Sequence, residues 1–210
     1  MKIINKDSYN AHNEELKLYT YDFCKEQQKT FRESKIEYDA DKSIGRLLDD
    51  ESLVKSVRIG VDIGSGHGYF AALMSGKMDK VYAIEPSEAG IEMSKRLHSE
   101  HPNIEWIVGF GEEQLPKLSL EGPAIFHTGC VLSHLEDDSV IDICEAIDKI
   151  ALPNSVLSFC ELWGFEHHEH LWHCRGASWW KQRFPNWKFN FIENNVQVPY
   201  RYKSFTAVKQ

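Results

Sequence analysis

No apolar run in these 210 residues approaches the ~20 needed to span a bilayer. The first seven residues lack the apolar stretch of a secretory signal, so none is expected. Cysteines number five, an odd count, and no two stand in C-x-x-C spacing. That argues against a disulfide framework or a zinc ribbon and makes the cytoplasm the expected compartment. Basic residues are in deficit: 24 Lys and Arg face 32 Asp and Glu, a net charge of −8. Such a chain has no general attraction for nucleic acid or an anionic membrane. With 13 Gly and 7 Pro, collagen-like and low-complexity classes are excluded as well.

What is present fits one globular domain: 42% hydrophobic and 12% aromatic residues, enough for a full core. The charge is unevenly spread. Residues 1–174 hold 17 basic and 31 acidic side chains, or −14, whereas residues 175–210 hold seven basic and one acidic, or +6. The basic part also carries many of the large rings.

Leu16, Tyr19 and Phe23 at helical spacing predict an amphipathic helix over residues 11–33, and Ile44, Leu47, Leu48 and Leu53 predict another over 41–55. Short apolar runs then alternate with helical patterns. Strands are expected at 57–63, 81–84, 104–108, 124–126 and 155–160, with helices at 69–78, 87–98 and 140–150. That rhythm means βαβ units and a parallel sheet covered on both faces. Two further strands, at 188–192 and 202–208, have no helix between them and predict an antiparallel pair.

The strongest local signal is Val61-Asp-Ile-Gly-Ser-Gly-His-Gly-Tyr-Phe70, a strand entering a glycine-rich turn that opens a helix. Glycines let backbone approach a ligand without Cβ interference, and the helix start offers N–H groups to an anion. The dinucleotide pattern G-x-G-x-x-G is not met, because the third glycine comes one residue early. Asp62 before the turn would repel pyrophosphate but suits an ammonium group. A ligand that joins a nucleoside to an amino acid fits both features.

This Asp-x-Gly-x-Gly-x-Gly stretch resembles the first motif of the class I S-adenosylmethionine (SAM) dependent methyltransferases, Rossmann-like enzymes of the type 11/12 small-molecule kind. Glu85, twenty-one residues after Gly64 at the end of the second strand, resembles the acid that holds the ribose hydroxyls. The resemblance implies that SAM binds at Asp62, Gly64, Ser65, Gly66, Gly68, Glu85 and Pro86, and that S-adenosylhomocysteine is the product. After strand three, Gly109 to Pro116 is similar to the family's adenine stretch under two alignments. One puts Phe110 on the adenine with backbone groups at Gly111 reading its edge; the other gives the acidic role to Glu112.

His127-Thr-Gly-Cys-Val-Leu-Ser-His-Leu-Glu-Asp137 resembles the family's fourth motif, with Thr128 and Gly129 beside the cofactor. No Asn/Asp-Pro-Pro-Tyr/Phe run is present, which disfavours methylation of adenine in DNA. Methyl transfer to a hydroxyl needs positioning and a proton acceptor. His127, His134 and His168 are the candidates, with His127 either base or pocket wall.

His167, His168, His170 and His173 crowd a segment after strand five. H-x-H spacings can serve a metal, but the H-E-x-x-H pattern is missing, since Trp172 stands at its last position. The expectation is a lid and acceptor segment without a metal, in which His167, His170, Arg175 and Trp179 meet the substrate. The predicted chain is one α/β domain. Residues 1–55 supply capping helices, 57–160 the SAM-binding core, and 161–210 the acceptor side and closing strands of a sheet of about seven strands. The expected activity is methyl transfer to a small molecule, a hydroxyl of an anionic or sugar-like intermediate. The rivals are a SAM-binding accessory protein without turnover and an enzyme acting on a glycan or protein.

Overall fold

The computed structural model describes residues 39–163, 173, 175–192 and 201–210. The helix expected over 11–33 lies outside them. The helix expected over 41–55 is two helices, α1 (Asp39–Asp49) and α2 (Glu51–Ser56). They part at Asp50, whose carboxylate accepts from the Ser52 and Leu53 N–H groups and so starts a new helix.

The alternating core follows the expected order: β1 (Ile59–Ile63), α3 (Tyr69–Ser75), β2 (Lys80–Glu85), α4 (Glu88–Leu97), β3 (Ile104–Val108), a short α5 (Gly111–Gln114), β4 (Ala124–Gly129), α6 (Asp137–Ile150) and β5 (Val156–Trp163). Then come α7 (Ala177–Arg183), β6 (Trp187–Ile192) and β7 (Arg201–Lys209). Local chemistry sets the ends. Ser87 caps α4 through its hydroxyl on the Gly90 N–H. Helix α6 starts with Asp137 and Asp138, which complement its dipole, and stops at Ala151, two residues before Pro153.

All seven strands form one sheet in the order β3-β2-β1-β4-β5-β7-β6. The first five are parallel, and β7 runs antiparallel between β5 and β6. Strand direction alternates side chains between two faces. Val61, Ile84, Phe126, Leu157 and Phe205 go to the face covered by α6 and α7, whereas Val81, Ala83, Ile125 and Val156 meet Ile44, Leu48, Ala71 and Met74 on the other. Each fully buried branched chain or ring contributes about 1.5–3 kcal/mol. Trp180, Phe184 and Trp187 belong to the first core. These three rings of the basic segment are therefore interior side chains.

The strand order reverses between β1 and β4. The crevice at that point, outside the carboxyl ends of the strands, is where open α/β sheets bind ligands. Among the described residues no helix is long and apolar enough to cross a membrane.

Candidate functional site

Gly64, Gly66 and Gly68 all have left-handed backbones, with φ of 72°, 53° and 78°. They differ in what surrounds them. A Cβ on Gly64 would lie 2.5 Å from Val131, and one on Gly68 would lie 2.4 Å from Trp106. A Cβ on Gly66 would meet nothing within 4 Å. Two glycines thus permit the turn to pack, and the middle one leaves its backbone open on one side. The Gly64 and Ser65 N–H groups donate to the Ile84 carbonyl at 2.8 and 3.0 Å. Glu85, 2% exposed, accepts from the Gly66 N–H at 3.0 Å and the Ser87 N–H at 2.9 Å. From α4, the Ser94 hydroxyl donates to the Gly66 carbonyl. Pro86 follows Glu85, half-buried.

Asp62 is 1% exposed, and its Oδ2 has no hydrogen-bond partner among the described residues. Burial pushes its carboxyl up to about 7; a bond from the Ala71 backbone works against this, and the nearby Glu85 charge adds to it. The Ser65 Oγ is likewise buried without a partner. His127, on β4 beside Asp62, is fully buried. Its Nδ1 lies 3.3 Å from the Ser158 Oγ, and Phe70 covers its ring at 4.5 Å between centroids. Burial pulls its pKa down to about 4. It is neutral at pH 7.

Beyond β4 the chain turns at Cys130, a non-glycine residue with φ of 60°. The turn presses Val131 onto Gly64. It is held from β5 by Glu161, which the sequence reasoning missed. Glu161 is 2% exposed and accepts from the Thr128 hydroxyl at 2.8 Å, the Ser133 N–H at 3.0 Å and the Val131 N–H at 3.3 Å. Burial pushes its carboxyl up, and these bonds oppose the shift. Thr128, expected beside the cofactor, spends its hydroxyl on this carboxylate. Gly129 has room for little else: a Cβ there would be 3.0 Å from Phe70.

On the β3 side, Gly109 takes φ of 147° and its N–H donates to the Glu85 carbonyl. Phe110, half-buried, precedes α5 in extended backbone. Gly111 packs inward, since a Cβ there would be 3.0 Å from Ile63. Glu112 keeps Oε2 buried without a partner among the described residues, and burial raises its carboxyl above the ordinary range.

Arg175, expected at the substrate, is a clamp instead. It is 5% exposed. Its Nε donates to Asp137 Oδ1 at 2.9 Å, its Nη1 to the Leu132 carbonyl at 2.6 Å and its Nη2 to the Leu135 carbonyl at 2.7 Å, and Nη2 also forms an ion pair with Asp137 at 2.8 Å. A longer bond reaches the His173 carbonyl. Every nitrogen of the guanidinium is thereby engaged by the chain. Trp179, half-buried, lies under the Arg175 and Arg183 guanidiniums at 5.2 and 4.9 Å. Lys209 pairs with Asp148.

His134 ends a 3-10 turn (Leu132–His134) and is exposed. His173 donates its backbone N–H to the Ser133 carbonyl at 2.7 Å, and its Nε2 lies 3.5 Å from Glu136 Oε1. Both border the turn that covers Gly64. His167, His168 and His170 lie outside the described residues.

Residues 61–154 match the family model described as a methyltransferase domain. No curated protein matches the chain by sequence. Solved structures similar to it include a complex of DhpI with SAM and HEP (17% identity, 93% of this chain and 97% of that one, TM-score 0.60). Others are the mitomycin 7-O-methyltransferase MmcR (15%, 80% and 53%, TM-score 0.61) and an rRNA methylase from Streptococcus thermophilus (17%, 84% and 99%, TM-score 0.58). At such identities the likeness is one of fold. The site itself suits a nucleoside bearing an amino acid: open backbone at Gly66, the Glu85 carboxylate beside it, and an unpartnered Asp62 oxygen whose charge a nearby cation would stabilise.

Proposed function

We propose that the chain is a class I SAM-dependent methyltransferase that methylates a hydroxyl group of a small-molecule acceptor, a reading supported by the methyltransferase-domain match over residues 61–154 and by the fold. SAM, when bound, supplies the electrophilic methyl group, and S-adenosylhomocysteine remains. Glu85 carries this proposal. Its carboxylate is oriented by two backbone N–H groups at the carboxyl end of β2, the position from which an acid meets ribose hydroxyls in such sheets. Asp62 balances the ammonium group of the donor. Glu112 offers its buried Oε2 to the amino group of adenine, which favours the alignment that gives this residue the acidic role.

His127 is a wall of the pocket in this proposal. A histidine held near pKa 4 in an apolar enclosure is a poor acceptor for a hydroxyl proton at pH 7. His173 is the base, because Glu136 can hold its Nε2 proton and leave Nδ1 as the acceptor. Of the anionic and sugar-like acceptors expected from the sequence, the sugar-like class fits better, since Arg175 is buried and each of its nitrogens is already engaged by the chain.

Calorimetric titration with SAM tests the cofactor site. Glu85→Gln should weaken SAM binding by about 1.5–3 kcal/mol, the worth of hydrogen bonds to a charged group. Unchanged affinity would remove Glu85 from the site. Release of S-adenosylhomocysteine across a panel of hydroxylated acceptors separates an enzyme from an accessory protein that binds SAM without turnover.

A further inference from the structure

We propose that His98, Glu100 and His101 form a binding site for a zinc-class divalent ion, separate from the cofactor crevice. One ligand atom from each lies within 4.8 Å of the others. His101 Nε2 and Glu100 Oε1 are 3.7 Å apart. Two donors on one tetrahedral zinc ion stand roughly 3.3–3.6 Å apart, so this pair is close to final spacing.

Hydrogen bonds behind the two imidazoles are compatible with metal-binding tautomers. The single hydroxyl proton of Ser75 goes to the Ala72 carbonyl at 2.8 Å. With its proton there, the Ser75 oxygen, 2.7 Å from His101 Nδ1, accepts from an Nδ1–H, the tautomer in which the ring can bind a metal. The lone pair of His101 is then on Nε2, the atom near Glu100. His98 Nε2 lies 3.0 Å from the His67 carbonyl, which can only accept. Its proton is on Nε2 and its lone pair on Nδ1. Each ring thus donates its second nitrogen to a protein oxygen, the arrangement that orients metal-binding histidines.

Backbone geometry supports the cluster. The His101 N–H bonds the His98 carbonyl and the Ile104 N–H bonds the His101 carbonyl, two successive three-residue turns. The two rings lie close together, 6.1 Å between centroids. His98 is further held by stacking on Trp106 at 6.1 Å and 18°. Two imidazoles and one carboxylate suit zinc, cobalt or nickel over magnesium or calcium, which prefer oxygen. Three protein ligands leave the fourth position to water. Through the His98–His67 and Ser94–Gly66 bonds the site backs directly onto the glycine-rich turn.

Zinc titration of the full chain against a chromophoric chelator tests the site, with Co(II) absorption reporting four-coordination. One equivalent should bind. Glu100→Gln changes an exposed side chain and keeps the fold, and with His101→Gln it should weaken zinc binding by at least about tenfold. Ser75→Ala, which only removes the partner of His101, should weaken it by roughly ten- to a hundredfold. A triple variant, His167→Gln with His168→Gln and His170→Gln, should bind as the wild type does. Failure of the wild type to compete with the chelator would overturn the proposal. So would binding that survives Glu100→Gln with His101→Gln and disappears in the triple variant.

Discussion

Asp62 and His127 stand in register on neighbouring parallel strands, and each keeps one buried atom, Oδ2 and Nε2, without a hydrogen-bond partner among the described residues. Burial shifts the two in opposite directions, from 3.8 to about 7 and from 6.5 to about 4.

Their effects on stability oppose each other. Between about pH 4 and 7 folded Asp62 holds a proton that the unfolded chain has released, so its contribution falls as pH rises. Between about pH 4 and 6.5 the unfolded chain protonates His127 and the folded chain does not, so that contribution is lost as pH falls. In the cofactor-free wild type the slopes offset up to about pH 6.5. Asp62→Asn removes one of them. Measured by urea unfolding, the stability of the variant relative to the wild type should rise with pH from 4 to 7, by at most about 1.4 kcal/mol per unit, because the contributions of His127, Glu161 and Glu112 cancel in the difference. A difference independent of pH would contradict the raised carboxyl of Asp62.

Gly64 and Gly66 should respond differently to alanine. At Gly64 the new methyl meets Val131 at 2.5 Å in a strained backbone, and the fold should be damaged. At Gly66 the strain remains but the space is open, so the cost is about 1–2 kcal/mol while SAM binding is lost. Thermal denaturation beside SAM titration separates the two; equal melting losses would refute the distinction.

Arg175→Ala leaves the Leu132 and Leu135 carbonyls without their donor and should destabilise the protein by about 2–4 kcal/mol. An arginine that binds the acceptor would instead raise the acceptor KM and leave the melting temperature unchanged.

If His173 is the base, His173→Gln should lower kcat by about 10²–10⁴-fold at neutral pH with SAM affinity unaltered. Glu136→Gln should give a smaller loss in kcat at the same acceptor KM. A wild-type rate in His173→Gln would return the role to His134 or His168.

The parallel core was legible because apolar runs and helical patterns alternate, and because Gly64, Gly66 and Gly68 stand where the backbone is left-handed, a conformation glycine adopts most readily. The break at Asp50 was not, since the apolar period runs through it, although an aspartate before Ser52 and Leu53 is itself a start signal. Glu161 left no trace, because the groups it binds are 28 to 33 residues away. Arg175 was misjudged for a related reason: its acceptors include backbone carbonyls, which every residue has and no sequence marks. Trp180, Phe184 and Trp187 are core side chains although basic residues lie between them in the sequence.

The place of β7 governs the order in which this sheet can be completed. It pairs with β5 on one side and β6 on the other, and it is made after both. Until residues 201–209 leave the ribosome, β5 ends in open hydrogen-bonding groups and β6 has no neighbour. Closure of the sheet is therefore a late, non-local event, and a nascent chain stalled before β7 would expose just the edge that recruits other chains.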